Sequence, residues 1–183
     1  MIRHQTATGF IVHREKTLLH YHPKVREWLP PGGHIEKNED PLEAIVREIN
    51  EETGLSSDYK KYNNFVYPVP TNEILNISNL EQVYAPYSIM LENVYDREVG
   101  EHQHIDHIYF FALHIKDEKK MPKLANIWKW VDINQLKDLE PLKINIPHNE
   151  NELDSKAPPE DVIVLGIKAI EHVKEKSKLY FPL

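Results

Sequence analysis

The chain has 183 residues and a mass of 21.5 kDa, with 40% hydrophobic and 28% charged residues, the size and make-up of one globular domain that buries its own core. Its 29 acids against 22 Lys and Arg give a formal net charge of -7, which opposes binding to a nucleic-acid polymer but leaves room for a small phosphorylated ligand bridged by a cation. The lack of cysteine removes disulfides, thiolate zinc sites, iron–sulfur clusters and cysteine nucleophiles. Residues 1–6 carry no signal-peptide pattern and no stretch approaches the roughly 18 apolar residues of a membrane span, so a cytoplasmic protein without membrane attachment is expected.

In chain order, residues 6–21 (TATGFIVHREKTLLHY) read as two β-rich runs joined by a polar, hairpin-like connection at Arg14, Glu15 and Lys16. The run Trp28-Leu29-Pro30-Pro31-Gly32-Gly33 cannot continue a helix or a central strand and predicts a loop. Asp40 and Pro41 then open a helix, with Asp40 as N-cap, Pro41 at the first helical position and Glu43 completing a capping box; Gly54 ends it. Short strands are expected over residues 61–68 and 87–94, around a polar loop holding Thr71, Asn72 and Glu73. Residues 104–115 (HIDHIYFFALHI) form the best strand, apolar on both faces at its centre and therefore internal to a sheet. Another strand is predicted over 127–131, a helix over 133–139, a surface loop over 147–159 and an amphipathic helix over 160–176.

The helix that starts at Pro41 carries two different faces. At 100° per residue Leu42, Ile45, Val46 and Ile49 share one arc, while Ala44, Glu48, Glu51, Glu52 and Leu55 share the opposite one. Glu48, Glu51 and Glu52 fall at i, i+3 and i+4, a like-charge cluster that disfavours an isolated helix and asks for a cation. Arg47, four residues from both Glu43 and Glu51, supplies part of the compensation. Hard divalent ions supply the rest, because Mg²⁺ and Mn²⁺ prefer oxygen ligands.

Written as a pattern, residues 33–55 (GHIEKNEDPLEAIVREINEETGL) give G-x5-E-x7-R-E-U-x-E-E-x-G-U, where U is bulky and aliphatic. The segment resembles the Nudix box at every defined position, matching at Gly33, Glu39, Arg47, Glu48, Ile49, Glu51, Glu52, Gly54 and Leu55. With its flanks the resemblance spans about residues 6–139. It implies an α/β fold, an α/β/α sandwich on a mixed β-sheet, here followed by a C-terminal helix. Residues 1–183 are expected to be a single domain, with a core over about 6–140 and an extension over about 141–183.

The same resemblance implies a hydrolase that uses Mg²⁺ or Mn²⁺ to cleave a diphosphate bond in a nucleoside diphosphate linked to another moiety, by water attack at phosphorus. It assigns Glu51 and Glu52 as metal ligands, Glu48 as ligand or general base, the Gly33 carbonyl as a further ligand, and Glu39 with Arg47 as residues that orient the box. An additional acid outside the box is common in the family, and Glu98, Glu101 and Asp106 are the candidates, with Glu101 placed first. His102, His104 and His107 have no recognised zinc spacing and are read as hydrogen-bonded structural residues. Tyr21, Trp28, Tyr67 and Tyr109 could stack on a base, although aromatic residues near strands are usually core.

The substrate is narrowed by subtraction. The SQPWPFPxS motif of NADH diphosphatases and the upstream signature of coenzyme A diphosphatases are absent, and the cysteine on which isopentenyl diphosphate isomerases depend is missing. Pro70, fifteen residues beyond Leu55, matches a position where ADP-ribose hydrolases carry proline. Nucleoside triphosphates, ADP-ribose and other nucleotide sugars, and dinucleoside polyphosphates remain open, as does a homodimer. The alternative is a Nudix-fold nucleotide-binding or regulatory module without catalysis, disfavoured by the complete set of box carboxylates. Seven acids (Glu36, Glu39, Asp40, Glu43, Glu48, Glu51, Glu52) against Lys37 and Arg47 give the box a net charge of -5, leaving -2 for all other residues.

Overall fold

A computed structural model of the protein describes residues 1–57, 64–96, 99–115, 123–138, 142–145 and 153–180. Its centre is a mixed sheet of strands β1 (Arg3–His13), β2 (Lys16–His22), β3 (Glu27–Leu29), β4 (Gly32–His34), β5 (Asn64–Pro68), β6 (Ser88–Asp96), β7 (Gly100–Ile115) and β8 (Trp128–Asp132). Helices α1 (Pro41–Thr53), α2 (Ile133–Lys137) and α3 (Glu160–Tyr180) complete the architecture with a separate antiparallel pair, β9 (Leu142–Asn145) and β10 (Leu153–Lys156). Among the described residues no helix is long and apolar enough to cross a membrane.

The first connection is tighter than its sequence suggests. β1 and β2 pair antiparallel through a two-residue turn at Arg14 and Glu15, both at positive φ (48° and 60°). That is the backbone of a type I′ hairpin turn, adopted here without the usual Asn or Gly because its twist matches the flanking strands. β1 then runs parallel to β7 from Arg3 opposite Gln103 to Val12 opposite Ala112, while the other pairings in the sheet are antiparallel.

The strand period sorts the core into two layers. From β7, Ile108, Phe110 and Ala112 join Phe10, Val12 and the α3 residues Val162, Ile163, Ala169, Ile170 and Val173. On the opposite face Tyr109, Phe111 and Leu113 join Ala7, Ile11 and the α1 residues Ala44, Ile45 and Ile49. The expected apolar centre of this strand is therefore buried on both sides by helices, giving an α/β/α sandwich. Tyr21, Trp28 and Tyr109 are core residues, 5%, 0% and 3% exposed, and Tyr67 packs against the same interior.

Four expectations need correction. The run from Trp28 to Gly33 is not a loop: Trp28 and Leu29 belong to β3, and Gly32 and Gly33 belong to β4, paired with Thr8 and Ala7 of β1, because only Pro30 and Pro31 interrupt the ladders. Ala44 is not on the free face with the glutamates; it is fully buried, because α1 lies against β1, β4 and β7 and buries a wider arc than one row. The predicted loop over 147–159 includes β10, whose residues pair with β9, a local ladder that its polar composition hides. The best strand starts four residues earlier than predicted, at Gly100, because β6 pairs with it as far as Asp96 opposite Gly100.

Candidate active site

Local chemistry builds α1 as predicted. Asp40 accepts from the backbone N–H groups of Leu42 (2.8 Å) and Glu43 (2.9 Å), and Glu43 accepts from that of Asp40 (3.0 Å), closing a reciprocal capping box. At the other end Gly54 sits at φ 71°, and its N–H donates to the Asn50 carbonyl. These caps fix the last turn, where Glu51 and Glu52 project.

Arg47 is the hub of the segment. Its Nε and Nη2 donate to the two oxygens of Glu39 at 2.8 and 3.0 Å, its Nη1 donates to Glu48 at 2.7 Å and more weakly to Glu51 at 3.4 Å, and Nη2 also donates to the His34 carbonyl. The pair to Glu43, sterically open by spacing, does not form, since the capping box holds that carboxylate. The hydrogen bonds from Arg47 hold the Glu39 carboxyl below its usual range, and Glu36 N–H adds a further donor. The guanidinium thus joins β4, the following loop and α1 through one planar group.

Glu52 lies outside this compensation. Among the described residues it has no ion-pair partner; although the residue is exposed, partial loss of water around its carboxyl, then the charges of Glu48 and Glu51, push that carboxyl up to about 7, opposed by a hydrogen bond from the Gly32 backbone. Gly33 completes the arrangement by close approach. A Cβ at this position would run into the Glu48 carboxylate, so any side chain here would push that flexible group out of its place against the strand. Gly33→Ala is expected to displace Glu48 and lower kcat about 100-fold with little loss of folded protein, measured by steady-state kinetics beside far-UV circular dichroism.

Gly32, Gly33 and Glu52 form one wall of a cavity of about 350 Å³. The remaining walls bring in residues from β1, β2, β6, β7 and α3, among them Thr6 and Thr8, His20 and His22, Glu92, His104 and Asp106, and Asp161. Asp106 is buried, accepts from Thr6 Oγ1 at 3.0 Å and also from Thr8, and its carboxyl is raised by burial. Glu92 is pushed up to about 7 by burial and by the charges of Asp106 and Asp161. His20 is held down at about 4 by burial and by His22; its Nδ1 is buried without a hydrogen-bond partner among the described residues.

Of the acids expected outside the box, Asp106 lines this cavity, whereas Glu101 does not. Glu101 is exposed and opposite Tyr95, six residues along β7 from His107, which pairs with the Ala7 that faces Gly33; six residues of strand are about 20 Å. Glu98 lies outside the described residues. Sequence reasoning missed Glu92, Asp161, His20, His22 and His34, which belong to no shared motif and meet only through sheet register and the docking of α3. Alternation on β7 does signal part of this wall, since His104, Asp106 and Ile108 share one face.

Fold and site together describe a three-layer α/β/α protein that gathers hard oxygen donors at the end of a capped helix, beside a cavity. A family model described as NUDIX domain matches residues 3–151. A probable DHNTP pyrophosphohydrolase of Lactococcus lactis subsp. cremoris (strain MG1363) is 29% identical over 130 residues, 67% of this chain and 73% of that protein. The solved structure of a NUDIX-family hydrolase from Clostridium perfringens superposes with a TM-score of 0.65 at 28% identity, covering 93% of this chain and 98% of that one. A NUDIX hydrolase from Nitrosomonas europaea shares the fold, with a TM-score of 0.50 at 15% identity over 95% of this chain and 91% of its own. The chain belongs to the Nudix family and is a Nudix pyrophosphohydrolase.

Proposed function

We propose that this protein cleaves a diphosphate bond in a small nucleotide-type substrate, with residues 1–183 acting as one domain and Mg²⁺ or Mn²⁺ as cofactor. The observation that carries the reading is the convergence of Glu48, Glu51 and Glu52 on adjacent turns with one guanidinium among them, next to a cavity able to hold a nucleotide-sized ligand. Three carboxylates and the nearby Gly33 backbone are the donor set that hard divalent cations prefer, and the uncompensated charge at Glu52 fits a cation there. Such an ion, when bound, neutralises phosphate charge and polarises the phosphoryl oxygens.

The protein's own groups supply the rest. Glu51 and Glu52 hold the cation, Glu48 holds it or takes the proton of the attacking water, and Arg47 keeps Glu48 and Glu39 in place against the Gly33 backbone. Glu92, Asp106 and Asp161, which line the same cavity, present carboxylate acceptors suited to the N–H edge of a heterocyclic base. The name of the Lactococcus relative makes a pyrophosphate-releasing reaction on a triphosphate such as DHNTP the first substrate to test.

The experiment is a panel of DHNTP, nucleoside triphosphates, ADP-ribose, nucleotide sugars and dinucleoside polyphosphates with Mg²⁺ and with Mn²⁺, resolving the phosphate-containing products. Turnover that stops on chelation and returns with metal supports the reading. Tight nucleotide binding with no turnover of any member overturns it in favour of a binding module.

A further inference from the structure

Four histidines that sequence spacing does not connect meet at one end of the sheet. His4 comes from β1, His34 from the end of β4, and His102 and His104 from β7. They are assembled by register: His4 lies beside His104 in the parallel β1–β7 ladder, and Thr6 opposite His34 carries the β4 residue alongside. Ring centroids of His4 lie 5.1 Å from His34, 5.0 Å from His102 and 5.9 Å from His104, and those of His34 and His104 lie 5.2 Å apart. One ligand atom from each of His4, His34 and His104 falls within 4.8 Å of the others.

The spacing of the ring nitrogens is informative. His4 Nδ1 and His34 Nε2 are 3.2 Å apart, and His102 Nε2 and His104 Nε2 are 3.1 Å apart. Two imidazole nitrogens bound to one tetrahedral ion at about 2.05 Å stand about 3.3 Å apart, so the His4–His34 pair already has the separation of two ligands on a shared cation. The fourth histidine plays a different part. His102 is buried, its Nδ1 lies 2.9 Å from the Gly100 carbonyl and donates to it, and its Nε2 is thereby an acceptor for His104 Nε2–H. In neutral His104 that leaves Nδ1 with a free lone pair, the relay by which a ligand histidine is oriented through its other nitrogen.

The geometry points to a second, nitrogen-rich metal site, in which His4, His34 and His104 bind a borderline-soft divalent ion such as Zn²⁺, with His102 as the positioning residue. Imidazole ligands select Zn²⁺, Co²⁺ or Ni²⁺ over Mg²⁺, so this site is chemically distinct from the box carboxylates. His34 and His104 line the same cavity as Glu52, Glu92, Asp106 and Asp161. A cation on the histidines therefore adds positive charge to a wall rich in carboxylates, where a phosphate group would otherwise be repelled. Three protein ligands leave a coordination position for water or a phosphate oxygen.

The test is calorimetric titration of chelator-treated protein with Zn²⁺, in the wild type and in the Glu52→Gln, His34→Gln, His104→Gln and His102→Gln variants. Wild type and Glu52→Gln should each bind one equivalent of Zn²⁺ with similar affinity. Loss of a ligand in His34→Gln or His104→Gln should weaken it about 100-fold, and His102→Gln about 10-fold. With Co²⁺ the wild type should show a visible absorption band that His34→Gln lacks. Equal Zn²⁺ affinity in wild type and His34→Gln, or loss of the site in Glu52→Gln alone, overturns the proposal. His34 is exposed and contacts Arg47 only through its backbone carbonyl, so its variant decides the matter even where His104→Gln fails to fold.

Discussion

Glu52→Gln is expected to lower metal-dependent turnover by at least about 1,000-fold while making the metal-free protein more stable. The loss follows from removing a charged donor from a site proposed to work by neutralising phosphate. The gain follows from the environment of Glu52: its carboxyl, normally near 4.5, is raised to about 7 by partial loss of water around it and by Glu48 and Glu51. A group with a raised folded-state pKa binds its proton more tightly in the native state than in the unfolded chain, so its ionisation weakens the native state as pH climbs from about 4.5 through 7. Gln does not ionise and escapes that penalty. Glu52 is exposed by area, so solvent screening reduces the effect to about 1 kcal/mol, a rise in Tm of about 2–4 °C at pH 8 without metal. The difference should vanish near pH 4.5. Saturating Mg²⁺ should reverse the order, because only the wild type gains stability by binding it. Thermal melts at pH 4.5 and 8, with and without Mg²⁺, beside kinetics, check each part; near-normal turnover in the variant refutes the assignment.

Arg47→Ala is the second large effect, and its signature is different. It removes the bidentate pair to Glu39, the bond to Glu48 and the tie to the His34 carbonyl, so the β4 end, the following loop and α1 lose their common anchor. It also leaves Glu48, Glu51 and Glu52 with no cationic partner among the described residues. Tm should fall by about 3–6 °C, kcat by at least about 10-fold, and added divalent metal should recover part of the Tm. Arg47→Lys should rescue little, since an ammonium cannot span both Glu39 oxygens and Glu48 in one plane. Recovery of wild-type Tm and kcat in Arg47→Lys would show that charge alone, without the fork, is what the site requires.

The box was legible because its chemistry is local. Asp40, Pro41, Glu43 and Gly54 fix where α1 begins and ends through contacts no more than four residues away, and the glutamate cluster follows from helical spacing. Projection failed at Ala44, whose burial depends on how closely α1 approaches β1, where a Cβ on Gly9 would stand 2.8 Å from Ile45. Nor does spacing choose among Arg47's partners: Glu43 and Glu51 are equidistant in sequence, and the capping box removes the first.

The charge that sequence alone locates in residues 33–55 is therefore a property of the helix and its loop. What the sequence could not determine is what that charge faces. Glu92, Asp106, Asp161 and His20 reach the same cavity through the β1–β2, β1–β7 and β6–β7 pairings and the packing of α3, and His4 joins His34 and His104 through the β1–β4 and β1–β7 ladders. Such contacts join residues up to about a hundred positions apart. Local periodicity carries no information about them, since register is set only when both faces of the sheet find their buried partners.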